Sequence, residues 1–138
     1  MGRIIAIDYG LKRTGLAVTD PLKIIASPLE TVQTNNLMQW LKDYFKNEEV
    51  ERIVIGMPTN LDQSDTHTTQ PVKRFIAQLK SEFPKLPISQ IDERYTSKIA
   101  QQAMALGGMK KKDRRRKENV DKISASIILQ SYMEKSNS

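Results

Sequence analysis

The sequence predicts an α/β domain built on a five-stranded mixed sheet with helices on both faces. Three observations lead there. Short β-branched runs separated by turn residues dominate the N-terminal part, at hairpin spacing. From about residue 34 the apolar period lengthens to that of a helix, and strand-like and helix-like runs then alternate. Three meandering strands followed by two crossovers give a mixed sheet rather than a purely parallel one.

Ile4-Ile5-Ala6-Ile7 is a continuous apolar run of the kind that forms a strand buried on both faces. The stretch from Asp8 to Gly15 supplies turn chemistry, and Leu16-Ala17-Val18-Thr19 resumes as a second strand. Asp20-Pro21 marks another turn, and Ile24-Ile25-Ala26 reads as a third strand. Leu37, Leu41, Tyr44 and Phe45 share one helical face, with Thr34-Asn35-Asn36 before them as cap candidates. Arg52 to Gly56 is a fourth strand, stopped at Met57-Pro58. Val72, Phe75, Ile76, Leu79 and Phe83 fit a second amphipathic helix, ended by Pro84 and Pro87. Pro87 to Asp92 reads as a fifth strand. Thr96 or Ser97 can cap a third helix through Ile99 and Met104 that Gly107-Gly108 terminates, and Val120, Ile123, Ile127 and Ile128 mark a last one. Right-handed crossovers place strands four and five beside strand one, which becomes central.

A chain of 138 residues with 38% hydrophobic and 28% charged side chains has the size and balance of one soluble domain, spanning 1–138. No apolar run approaches the ~20 residues of a membrane span. The first residues end their apolar run in a carboxylate, unlike a secretory signal. Cysteine is absent, which excludes disulfides and thiolate metal sites. A cytoplasmic protein is the expectation. The net charge of +6 is concentrated. Lys110-Lys111-Lys112-Asp113-Arg114-Arg115-Arg116-Lys117 holds seven of the 22 basic residues and one of the 16 acids, so the remaining 15 of each sign cancel. Such a block repels itself, which suggests a flexible basic loop at about 107–117, and it suits a phosphate backbone.

Three carboxylates stand out against that background. Asp8 ends a strand predicted to be central, where an uncompensated charge is costly and where ligands of such sheets collect; capping of the following turn is the simpler alternative. The fifth strand ends in Asp92-Glu93, and alternation lets only one of the two face the side of Asp8. Asp121 falls near the start of the last helix, with Ser124 and Ala125 small enough to let that helix approach the sheet. Acids at helix starts are also favoured by the dipole alone. Converging carboxylates repel unless cations sit between them. Oxygen ligands of this kind suit Mg²⁺ or Mn²⁺, and a pair of such ions can drive in-line phosphodiester displacement.

Ile7 to Asp20, Ile55-Gly56-Met57-Pro58, Asp92 to Ser97, and Asp121 to Ala125 with Ile128-Leu129-Gln130 resemble, in this order, the YqgF (RuvX) family of pre-16S rRNA nucleases, relatives of RuvC-type Holliday junction resolvases. The resemblance implies an RNase H-like fold and metal-dependent phosphodiester hydrolysis, as catalytic and metal-binding residues Asp8, Glu93 and Asp121, and Mg²⁺ or Mn²⁺ as cofactor. It favours Glu93 over Asp92. The chain departs from the family at Gln63, where a Gly commonly follows the acid, and at Ser124, where Ala is usual. RuvC-type sites commonly have four carboxylates, against three here.

Lys12, Arg13 and Arg94 adjoin these acids in sequence and are expected to contact phosphates, together with Lys110, Lys111, Lys112, Arg114, Arg115, Arg116 and Lys117. The expected partners are pre-rRNA or branched DNA and ribosomal precursor particles, with no membrane, and the protein a monomer or weak dimer. His67 reads as a surface residue and Trp40 as partly packed. Two rival functions stand beside the nuclease: a non-catalytic assembly factor that keeps the fold, and an actin-like sugar kinase or ATPase, which shares an Asp-Tyr-Gly hairpin. The kinase needs two domains closing on ATP and leaves the basic block without a use.

Overall fold

A computed structural model describes residues 2–57, 69–92 and 117–136, with the side chains of Asp92, of 117–122 and of 135–136 outside the description. The strands are β1 (Arg3–Asp8), β2 (Arg13–Thr19), β3 (Ala26–Gln33), β4 (Val50–Met57) and β5 (Ile88–Asp92). The helices are α1 (Leu37–Asn47), entered through one 3₁₀ turn at Thr34–Asn36, α2 (Thr69–Glu82) and α3 (Lys117–Ser136). The sheet order is β3-β2-β1-β4-β5, antiparallel from β3 to β1 and parallel from β1 to β5. Strand β1 is central, as the crossovers require. Strand β4 lies beside it, and β5 lies one place further out.

Alternation along β1 divides the core in two. Ile5 and Ile7 pack with Leu16, Ile53 and Ile55 beneath α1 and α2, where Leu37, Leu41, Val72, Phe75, Ile76 and Leu79 close that face. Ile4 and Ala6 face the other way, with Ala17, Val54 and Ile91, against Ala125, Ile128 and Leu129 of α3. The small residues of α3 are buried as expected, Ala125 wholly and Ser124 at 4% exposure. Among the described residues no helix is long and apolar enough to cross a membrane.

The third strand differs from the sequence expectation. Ile24 and Ile25 are exposed, at 67% and 61%, and the strand begins at Ala26. The Asp20 carboxylate accepts hydrogen bonds from the N–H groups of Leu22, Ile24 and Ile25 at 2.8–3.2 Å, wrapping these residues into a turn with Lys23 left-handed (φ 60°). The Ile25 N–H above all, with those of Ile24 and Leu22, holds this carboxyl below its ordinary range. Strand β3 then runs through Pro28, which an edge strand tolerates, and slips one residue against β2 between Leu16 and Ala17. Of the cap candidates at the first helix, Asn36 occupies the cap without a side-chain bond, and Thr34 is engaged elsewhere. The predicted third helix around Ile99 and the basic stretch at 107–116 lie outside the described residues, as does His67. Lys117 is the first residue of α3. Trp40 is partly buried, stacked 5.0 Å from Tyr44 and donating to Glu30 at 3.0 Å.

Candidate functional site

Asp8 is the last residue of β1 and is half-buried at the carboxyl end of the sheet. Its parity with Ile4 and Ala6 puts it on the face covered by α3. Across β2 its partner is Gly15. Across β4, one step beyond the Ile7–Ile55 pair, stands Gly56. The acid is thus flanked on both neighbouring strands by residues with no side chain. Neither glycine stands out in the sequence for this reason, because their placement depends on strand register.

The turn after Asp8 is held by two threonines. The Gly10 N–H points to Thr14 Oγ1 at 3.5 Å, Thr14 and Thr34 hydroxyls meet at 2.9 Å, and Thr34 Oγ1 donates to the Gly10 carbonyl at 2.6 Å. The Thr34 N–H also donates to the Lys12 carbonyl at 2.9 Å. Thr14 is fully buried. Below the turn, the Tyr9 ring packs 5.0 Å from Phe75 of α2, so the residue after Asp8 is anchored in the opposite core. Arg13, half-buried, and Lys12, exposed, follow within the same turn. The two expected phosphate contacts of the hairpin therefore stand at the Asp8 end of the sheet.

Helix α3 begins at this end and runs away from it. The Arg52 guanidinium lies 5.8 Å from the centre of the Tyr132 ring, and Arg52 pairs with Ile4 at the start of β1. Tyr132 and Met133 pack in the same cluster as Ile4 and Ala26. From Tyr132 back to Asp121 the helix rises about 16 Å, while Ile4 to Asp8 spans about 13 Å of strand. The first turns of α3 therefore lie toward the Asp8 end of the sheet, with Asp121 one turn before buried Ala125.

Strand β5 is parallel to β1 but separated from it by β4, so the two are not neighbours. Ile91 pairs with Gly56 and shares the α3 face, whereas Ile88 belongs to the opposite core. Two strand spacings, about 9.5 Å, separate Ile91 from Asp8 across the bare Gly56. Glu93, Arg94 and the basic residues Lys110, Lys111, Lys112, Arg114, Arg115 and Arg116 lie outside the described residues; the side chains of Asp121 and Lys117 do too. Among the described side chains no three His, Asp or Glu gather as a metal cluster.

A family model described as "RuvX: Holliday junction resolvase" matches residues 2–135. The chain is 56% identical over 133 residues to a protein of Amoebophilus asiaticus (strain 5a2) named "Putative pre-16S rRNA nuclease", covering 96% of this chain and 94% of that one. It is 52% identical over 133 residues to a protein of the same name from Christiangramia forsetii, covering 96% and 98%. Of solved structures, "T. thermophilus RuvC in complex with Holliday junction substrate" superposes with a TM-score of 0.60 at 13% identity, over 97% of each chain. A second, "Thermus thermophilus RuvC structure", gives 0.54 at 13% identity over 96% of each. At that identity the RuvC likeness concerns the fold, which is RNase H-like. The family match, together with relatives of near-identical length at half identity or more, shows that this chain belongs to the RuvX family.

Proposed function

We propose that this protein is a divalent-metal-dependent nuclease that trims the 5′ end of pre-16S rRNA, with Asp8, Glu93 and Asp121 as catalytic, metal-holding residues. The observation that carries the reading is Asp8 itself, half-buried at the end of the central strand between Gly15 and Gly56, with the first turns of α3 at the same end of the sheet. Parity supports the choice of Glu93: a strand continued one residue beyond Asp92 returns to the face of Ile91, which is the face of Asp8. Carboxylate oxygens beside bare glycines suit Mg²⁺ or Mn²⁺, hard ions that keep waters and take phosphate oxygens as further ligands. When bound, such ions supply a nucleophile at neutral pH and stabilise the leaving oxygen.

The chain's own residues supply position and charge. The threonine-pinned turn fixes Asp8 relative to Lys12 and Arg13, which hold backbone phosphates with Arg94. The basic residues from Lys110 to Lys117 attract the polyanion to a site whose own charge repels it. The unit that does this is one domain over 1–138, its basic loop at 107–117, working in the cytoplasm on ribosomal precursor particles. A second reading, cleavage of branched DNA, is favoured by the description of the family model.

One comparison tests both. Wild type and Asp8→Asn are incubated with a precursor 16S 5′-end RNA and with a four-way DNA junction, in Mg²⁺ and in Mn²⁺. The substitution should lower cleavage on the order of a hundredfold or more while the melting temperature holds, since a metal centre contributes several kcal/mol to the transition state. Equal product from both proteins would remove the nuclease reading, and the better-cut substrate decides between RNA and DNA.

A further inference from the structure

Beside the Asp8 turn lies a cleft of about 510 Å³, between the turn and the end of edge strand β3. Its position relative to Asp8 follows from register. Asp8 pairs with Gly15 and Gly15 with Thr31, so the three form one row across β1, β2 and β3. Paired residues share a face, and Thr31 stands about 9.5 Å from Asp8 across the bare backbone of Gly15. Arg13 and Gln33 form the next pair on that face. The cleft thus opens beside the proposed cutting site, with a glycine floor between them.

The lining has a definite chemistry. Lys12 and Arg13 bring positive charge, and among the described lining residues there is no carboxylate. Gln33 and Asn35 are both exposed, and their carboxamides offer donors and acceptors together, as the pairing edge of a base does. Leu11, 53% exposed, gives an apolar surface on which a ring can lie, while the Val32 side chain packs into the opposite core. The volume falls in the range of small-molecule sites. The walls are also held in place, since Thr34 ties Lys12 to the start of the 3₁₀ turn that carries Asn35. A preformed site costs little ordering on binding.

We infer that this cleft is a subsite for one unpaired nucleotide next to the bond being cut. Lys12 and Arg13 take its phosphate, Leu11 the face of its base, and Gln33 and Asn35 its pairing edge. Edge-reading groups serve only a base whose pairing edge is free, which a duplex denies and a single-stranded extension provides. The inference rests on the nuclease reading for its neighbour Asp8, and it narrows the substrate to a strand that is unpaired on one side of the cut.

The test is binding, in EDTA so that neither metal nor cleavage enters. The probes are fluorescent RNA hairpins carrying a 5′ extension, a 3′ extension or a blunt end, titrated with the full chain by anisotropy. One extended hairpin should bind wild type about tenfold more tightly than the blunt one, within the range of one stacked base. The triple variant Leu11→Ala, Gln33→Ala, Asn35→Ala should lose that margin and leave the blunt hairpin's affinity unchanged. An abasic site walked along the extension should weaken wild-type binding at one position and not in the variant. Equal affinity for all three hairpins, an equal loss on extended and blunt probes, or indifference to every abasic position would each overturn the subsite. The abasic series needs no variant, so misfolding cannot obscure it. Should Asp8→Asn still cleave while the extension preference holds, the nuclease reading fails and the subsite stands.

Discussion

A Cβ built on Gly10 would lie 2.2 Å from the carbonyl oxygen of Arg13, a backbone atom that cannot swing aside. Gly10 is also joined through its N–H and its carbonyl to the Thr14–Thr34 hydroxyl pair. Any side chain there must open the turn that follows Asp8 and displace Arg13 with it. Gly10→Ala should therefore destabilise the protein by about 1–3 kcal/mol, the usual cost of overpacking, seen as a lower urea midpoint. Cleavage measured well below the unfolding transition should fall further than that loss explains, because the turn sets both the acid and its neighbouring cation. A variant with wild-type stability and rate would show that the turn is free to rearrange. Asp8 could be singled out in the sequence, since a carboxylate closing an apolar run is conspicuous. The residues that hold and flank it could not. Thr34 reads locally as a helix cap, and its real partners, Gly10 and Thr14, lie 24 and 20 residues earlier. Gly15 and Gly56 gain their meaning only when strand register sets them on either side of Asp8.

Among the elements, those with strong periodicity were legible: β1 as a run buried on both faces, α1 and α2 from their apolar stripes. Strand β3 was misplaced because Ile24 and Ile25 satisfy every local criterion for a strand, while the Asp20 carboxylate captures their N–H groups in a turn. Its actual span contains Pro28 and Glu30, poor strand residues that an edge position accepts. Helix α3 was legible from Ala125 and Ser124 as a closely approaching helix, but its direction over the sheet required the contact between Arg52 and Tyr132. That direction suggests a test. Ala125 is fully buried against the sheet, one turn after Asp121. Ala125→Leu should lift the first turns of α3 away from Asp8, lowering the melting temperature modestly and the cleavage rate by up to about a hundredfold, the cost of a misplacement near 1 Å. Gln130→Leu, on the exposed side of the same helix, should change neither. If both variants cleave as wild type does, the start of α3 has no part in the site.

Over the whole molecule the charge is divided in a way that composition alone conceals. The net +6 belongs to the segment from Lys110 to Lys117, and the remainder of the chain is balanced. A metal-holding carboxylate site repels a phosphate backbone until cations are in place, so attraction must come from elsewhere on the protein. Binding that depends on released counterions weakens with salt, with a slope of about 0.7 per phosphate contact on single strands and 0.9 on duplexes. Replacing Lys110, Lys111, Lys112, Arg114, Arg115 and Arg116 with Gln should lower the slope of log K against log salt by up to about 4–5. The loss should be expressed in KM more than in kcat if the segment, as proposed, gathers substrate rather than reacting with it. Lys12→Ala with Arg13→Ala should lower the slope by only about 1–2, yet reduce kcat as well, since those two residues stand in the Asp8 turn. Titrations at three salt concentrations separate the two patterns. A six-residue variant with an unchanged slope would mean that the substrate is held elsewhere, and the charge of this segment would then need another explanation.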